Sequence, residues 1–445
     1  MKKILTIILT ITLFPLLYAQ EAEPAPQPEP DEGALENWNR SESFGEDEKY
    51  DTVDEFGGEL QPKSKVPDGM GRRYFELGFD MRIGFDNGLI GIGDSLKKNI
   101  IIDLDKIENS IRDGGLNVNA DGNGDILYMD ILNIKIIDGL WDFGFFINTE
   151  GTINVNTPKS LFTLISQGNV DQRSYEGMIS ASGGVYANTG LNASAKYGKL
   201  RVGLKPTLFT PLIFIPMSGI TYHLETEDDV DLTSSGEIIV YYPLDENKKF
   251  VGLNFGFDIS LDGEYALFPF LDIGGSFSRI PLAPATLQNR MKLGMSDLQY
   301  HLDGKKIMEG TMDEMPNFGK FDDPIFDMES YKVYRPFRLD VYVRYKPFST
   351  EILAVRPNIG FSVDNNDNKR YFNAGLEVQS MLLGDVIKLY MGTGYQETIW
   401  RHRVGCAFNF RGVELGFEGA LRADSFPGSF RGQGFAAGLS ARFGW

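Results

Sequence analysis

Three histidines, one cysteine and one run of alternating oxygen-bearing side chains are the residues whose type and spacing bear on chemistry. His223, His301 and His402 are far apart, and none is spaced with another His or Cys as a metal pair. His223, two residues from Glu225, resembles half of a hydrolase dyad, but its setting is that of a rim or turn contact. His402 shares an apolar strand face with Trp400 and reads as interfacial, and His301 falls in a loop where it has no readable role. Cys406 cannot form an internal disulfide and reads as a small packing residue beside Val404 and Phe408. Gly91-Ile92-Gly93 lacks the second strand and the acidic residue of a dinucleotide site. No GxSxG, HExxH or phosphate-cradling loop is present, so neither an enzyme nor a cofactor is expected.

The oxygen-bearing run is Asn117, Asn119, Asp121, Gly122, Asn123, Gly124, Asp125, which matches the first nine positions of a calcium-binding EF-hand loop. Its twelfth position is Tyr128 where a bidentate Glu belongs, and strand sequence follows at once. A turn-rich hairpin loop is therefore expected over a metal site.

What positions any site must be β-structure. From Tyr331 to Trp445, seven short stretches alternate apolar and polar residues at a period of two, separated by turn residues. Tyr331, Val333, Phe337, Leu339, Val341, Val343 and Tyr345 are expected on one face. Lys332, Tyr334, Arg338, Asp340, Arg344 and Lys346 are expected on the other. Glycine (50 residues) and aromatic side chains (12%) are abundant, as a large sheet requires. Further strands are read at about 73–85, 125–136, 140–154, 175–195, 199–208, 251–261 and 264–277. Asp138-Gly139 and Asp262-Gly263 are two-residue hairpin signals. Two helices interrupt this pattern, one over Leu96–Ile111 and one over Pro158–Gln167, and 282–330 reads as a long Met-rich loop.

The amino-terminus points to export. Lys2 and Lys3 precede an apolar stretch, Ile4 to Leu17, and cleavage is expected after Ala19, giving a signal peptide over 1–19. Residues 20–66 follow as an acidic, Pro-rich tail expected to be disordered, with 14 acids against 4 bases between Gln20 and Lys65. The net charge of −19 argues against nucleic acid as a partner. No later run is long and apolar enough for a membrane helix, so insertion would have to be through strands.

Phe435, Ala437, Leu439, Ala441, Phe443 and Trp445 share one face, and the chain stops on an aromatic residue. This resembles the terminal strand signal of bacterial outer-membrane β-barrels, with Phe443 and Trp445 as the insertion signal. The resemblance implies the barrel-insertion machinery and outer-membrane lipid as partners. The expected fold is all-β: a transmembrane antiparallel barrel of about 14–16 strands over 67–445, with short helices in its outer loops. Long connections fall on one side of it and tight turns on the other. Arg338, Asp340, Arg344, Arg356, Glu377, Arg401, Arg403, Glu414, Glu418 and Arg422 then line the lumen, where they must pair or meet water. Tyr331, Tyr345, Tyr395 and Trp400 suit interfacial girdles.

The length, even-stranded plan, helix-bearing outer loops and terminal aromatic are similar to FadL-type transporters of hydrophobic compounds. They also resemble a related barrel family that carries a helix followed by Gly-Asn, here Leu161 to Asn169. The FadL resemblance implies a plugged lumen and sideways passage of hydrophobic molecules through a kinked wall strand. No amino-terminal plug sequence aligns, because 20–65 is acidic and Pro-rich, so no binding residue is carried over. The local candidate for a lateral opening is the apolar stretch Leu208–Met217, with Pro206, Leu208, Phe209, Pro211, Phe214 and Pro216 as candidate residues. Prolines cannot donate to a ladder, so an edge, kink or loop is expected there. The expected function is passage of small, hydrophobic molecules; the alternative is a structural or surface-interaction (adhesin-like) barrel with a closed lumen.

Overall fold

The strands present an inverted surface. In β1 (Phe75–Asp86), Phe79, Met81 and Ile83 are exposed while Glu76, Gly84 and Asp86 are buried. Polar-in and apolar-out at a period of two is what a wall between lipid and an enclosed interior requires. The computed structural model describes 75–444 except 88–110, 112–114, 137–138, 168–172, 227–229, 244–253, 303–324, 351, 367–368, 384–385 and 411. The expected signal peptide, acidic tail, Leu96–Ile111 helix and Trp445 therefore lie largely or wholly outside the described residues.

After β1 come β2 (Leu116–Ile136), β3 (Gly139–Thr157), helix α1 (Lys159–Gln167), β4 (Arg173–Tyr197) and β5 (Leu200–Thr226). The central group is β6 (Val230–Tyr242), β7 (Gly256–Phe268), β8 (Leu271–Ala283), β9 (Ala285–Leu302) and β10 (Ile325–Val333). Then follow β11 (Phe337–Tyr345), β12 (Leu353–Asp364), β13 (Lys369–Leu382), β14 (Ile387–Gln396) and β15 (Ile399–Phe410). The chain ends with β16 (Val413–Ala423), helix α2 (Phe426–Phe430) and β17 (Gly434–Gly444).

All pairings are antiparallel, and β1 closes the ring by pairing with both β17 and β2. The closed ring has 14 strands, running from β1 through β5, then β7, β8 and β11 to β17. The other three form a second tier in which β5 pairs β6, β6 pairs β9, and β9 pairs β10. This tier stacks on the ring because β8 continues into β9 across Pro284, and β10 into β11 across Tyr334, Arg335 and Pro336. At 27 residues, β5 serves both tiers, well beyond the roughly 9–11 residues that cross a bilayer. A closed barrel with this exterior is a membrane-spanning structure, and its even strand number agrees with the expected 14–16.

Several sequence expectations are corrected. Asn117–Asp125 is neither a calcium loop nor a hairpin loop but part of the long strand β2. Its alternating oxygens are simply one face of a strand. In the long loop expected over 282–330, 285–302 and 325–330 are strands β9 and β10, and 303–324 lies outside the described residues. The stretch Tyr331–Tyr345 is two strands, and the break at 334–336 shifts the parity. Val333 and Arg335 are therefore buried, as are Arg338 and Asp340, whereas Lys332 is exposed. Leu208–Met217 is strand and not loop, and the expected edge and kink survive as bulges and as described pairing on one side only over part of its length.

Candidate functional site

All ten residues expected in the lumen are on the inward face, and most are held by counter-charges. Arg338 Nε lies 2.5 Å from Asp340 Oδ2. Arg344 and Lys346 reach Asp272 at 3.8 and 2.9 Å. Arg356 stacks 3.7 Å over the Tyr342 ring, whose hydroxyl donates to Glu264 at 2.8 Å. Glu377 pairs with Arg403, and Glu418 with Arg82 at 3.0 Å. Glu414 takes both Lys388 at 2.7 Å and Arg442 at 3.7 Å. Arg422 bridges Asp121 and Asp86, the latter at 3.2 Å, and Arg401 approaches Asp121 at 3.9 Å.

Desolvating an unpaired charge costs several kcal/mol, so the pairing is what allows this interior to exist. Sequence reasoning missed several of the partners, among them Asp86, Asp121, Asp272 and Lys388. Their signal was the same alternation, hidden in β2 by the resemblance to a metal loop.

The pairs fill much of the axis, and two spaces among the described residues bear on passage. One, a cavity of about 70 Å³, lies among Arg82, Asp121, Arg338, Arg401, Arg403 and Glu418. The larger, of about 560 Å³, lies toward the long-loop end and touches Asn156, Ser182, Tyr186, Phe214, Ile215 and Met217.

Beside the larger space, the described ladder on the far side of β5 changes from one partner strand to another. Phe209 of β5 pairs with Gly256 of β7, and Phe214 pairs with Tyr241 of β6. Between them, Thr210, Pro211 and Ile213 have a described ladder partner only on the β4 side, and Leu212 is the bulged residue between two of those pairs. Pro211 falls at a bulge opposite Tyr186. Pro216 falls within bulges on both flanks, where β4 shifts between Ala181 and Gly183 and β6 between Tyr241 and Glu237. The prolines are tolerated because they sit where ladder bonds are already interrupted. Pro206 is half-buried opposite Ile259, and Leu208 faces outward.

Aromatic packing closes the gap from within. Phe209 and Tyr241 are 2% exposed and Phe214 is 4% exposed, joined by Tyr186, Leu287 and Val333. Tyr331, expected at a girdle, instead packs 5.3 Å from Phe214 and 5.0 Å from Tyr241 between ring centres. Behind the cluster, Arg335 joins Asp258 at 2.7 Å and Glu150 at 2.9 Å, with its guanidinium 5.4 Å from the Phe209 ring centre. Glu150 also pairs with Arg279.

No family model and no curated protein matches the sequence. Solved structures do: the CymD monoaromatic hydrocarbon channel matches at TM-score 0.43 and 11% identity, over 87% of this chain and 95% of that one. The P. putida toluene transporter TodX matches at 0.41 and 10% identity, over 83% and 89%. A Pseudomonas aeruginosa FadL homologue matches at 0.39 and 9% identity, over 85% and 94%. The FadL-type resemblance read from the sequence recurs among them.

The remaining sequence candidates are dispersed. His223 is half exposed, 3.9 Å from both Glu176 and Glu225. His402 is engaged at both ring nitrogens, by Thr393 Oγ1 at 2.9 Å and Ser429 Oγ at 2.7 Å, and stacks on Phe430. Phe426 packs against Trp400 and His402, so α2 caps an aromatic patch beyond β15. Phe443 faces outward on β17. Among the described residues, no group of His, Cys, Asp and Glu is placed to hold a metal.

Proposed function

We propose that the barrel is an outer-membrane transporter that passes small hydrophobic molecules sideways through the interrupted wall at β5. The observation that supports this most is the coincidence of three features: a space inside, a stretch over 210–213 whose ladder on the β6–β7 side is interrupted among the described residues, and an aromatic cluster packed beside that stretch. Ladder gaps facing lipid leave backbone groups unsatisfied, so a barrel retains one only where another use outweighs the cost. A straight polar route is opposed by the ion pairs across the lumen. Pro206, Leu208, Phe209, Pro211, Phe214 and Pro216 are the proposed path residues, and the barrel-insertion machinery and outer-membrane lipid are the proposed partners.

The test is uptake of toluene and octane by liposomes holding the pure protein, with planar-bilayer conductance in parallel. Uptake above protein-free vesicles with little ionic conductance is the expected result. Replacing Pro211 and Pro216 by Val, which allows the ladder to close, should at least halve uptake, and unchanged uptake would sink the proposed path. The paired lumen also favours a second reading, a surface-interaction barrel with a closed interior. That reading requires neither uptake nor conductance.

A further inference from the structure

The walls of the larger space differ in chemistry from one side to the other. On β2, β3 and β4 the register aligns short polar side chains into rungs: Asn117 opposite Asn156 opposite Ser180, and Asn119 opposite Asn154 opposite Ser182. Asn156 donates to Asn117 at 2.8 Å, Asn154 donates to Asn119, and Asn119 donates to Asp86 at 2.7 Å, so the amides are oriented by one another and by that carboxylate. Three strands about 4.8 Å apart and two rungs about 6.7 Å apart make a patch the size of one or two sugar rings.

At the next strand the polarity changes. Gly183 and Gly184 of β4 face Ile215 and Phe214 of β5, and Met217 beyond them is 52% exposed. Gly183 is required there: its φ is +144°, and a Cβ would stand 2.1 Å from the Thr152 carbonyl oxygen. The bulge it permits is the seam between an amide and hydroxyl surface and an apolar one.

Charge narrows the ligand further. Both cations bordering the space are engaged, Arg279 by Glu150 and Lys369 in register with Asp364. A carboxylate or phosphate head would need a cation without such a partner. Asn amides and Ser hydroxyls both donate and accept, which is the match for hydroxyl groups.

Resting on the transport reading, we infer that the space receives an amphiphile with an uncharged, hydroxyl-rich head, such as an alkyl glycoside. The head lies on the Asn and Ser rungs, and the tail points to the β5 bulge.

The experiment uses the full chain held in amphipol, free of glycoside detergent, and three probes sharing one tail: octyl β-glucoside below its micellar concentration, octanoate and octanol. Equilibrium dialysis should give the glucoside about tenfold tighter binding than octanoate. Asn156→Ala with Ser182→Ala should weaken the glucoside about fivefold or more and leave octanol unchanged. Ser182→Ala alone, checked by heat-modifiable migration, serves if the double variant does not fold.

Octanoate binding as well as the glucoside, or a variant that weakens all three probes alike or none, overturns the inference. If vesicles take up octanol while the glucoside has no advantage, the transport reading survives and the head-group inference falls. If none of the three binds or is taken up, both fall.

Discussion

The sector from β12 to β17 and the sector from β4 to β10 solve the same problem differently. In the first, every ladder from the β12–β13 pair to the β16–β17 pair runs without a register shift. Its interior is held by charge pairs such as Lys388 with Glu414. In the second, each pairing along β5, β6, β7 and β9 except the lower β5–β7 ladder carries a shift, and an aromatic cluster is added to charge pairs such as Arg335 with Asp258. Charge pairing fixes a wall, because separating the partners strands them in a medium that solvates neither. Apolar packing is non-directional and can rearrange. The sector with the irregular ladders is the one that adds the forgiving interaction to its charge pairs.

The largest test of this contrast is Glu414→Leu in the regular sector. Lys388 is 2% exposed and Glu414 1% exposed, so the substitution strands a buried ammonium and should cost about 3–5 kcal/mol. Urea unfolding in detergent, followed by the shift in electrophoretic migration, measures it; a loss below about 1 kcal/mol would break the distinction.

Next is Gly183→Val in the interrupted sector, expected to cost about 1–3 kcal/mol through its positive φ. Gly419→Ala is its counterpart in β16, where a Cβ meets nothing within 4 Å. It should stay within about 0.5 kcal/mol in the same assay.

Smaller again is Ser425→Ala, which removes the hydroxyl accepting the Gly428 N–H at 3.1 Å at the start of α2, for about 1 kcal/mol. Smallest for stability is the Pro211→Val and Pro216→Val pair, expected within about 0.5 kcal/mol while uptake falls. A large stability change there would show that the gap is structural and not a path.

The barrel was legible because its alternation is inverted and regular: Val341 and Val343 out, Asp340 and Arg344 in. The ten lumen residues followed from the same parity. Three things were not legible. Asn117–Asp125 carries polar residues at the spacing of a metal loop, and only its partners Thr152, Asn154 and Asn156 reveal it as a strand. The second tier was hidden because β9 and β10 pair with strands far away in sequence, which no local pattern reports. Tyr331 was misplaced because Pro336 resets the parity two residues after Tyr334, and a period-two reading carries no memory of a break.

Arg422, on the penultimate strand, meets Asp86 and Asp121 on the first two. Asp121 also has Arg401 on β15, but Asp86 gains the Arg422 guanidinium only when the final hairpin arrives, so a chain halted short of β16 leaves that carboxylate with the Asn119 amide and without its ion pair. Completion of the ring is thereby rewarded at its last step, and a half-made cylinder carries its own electrostatic mark of being unfinished.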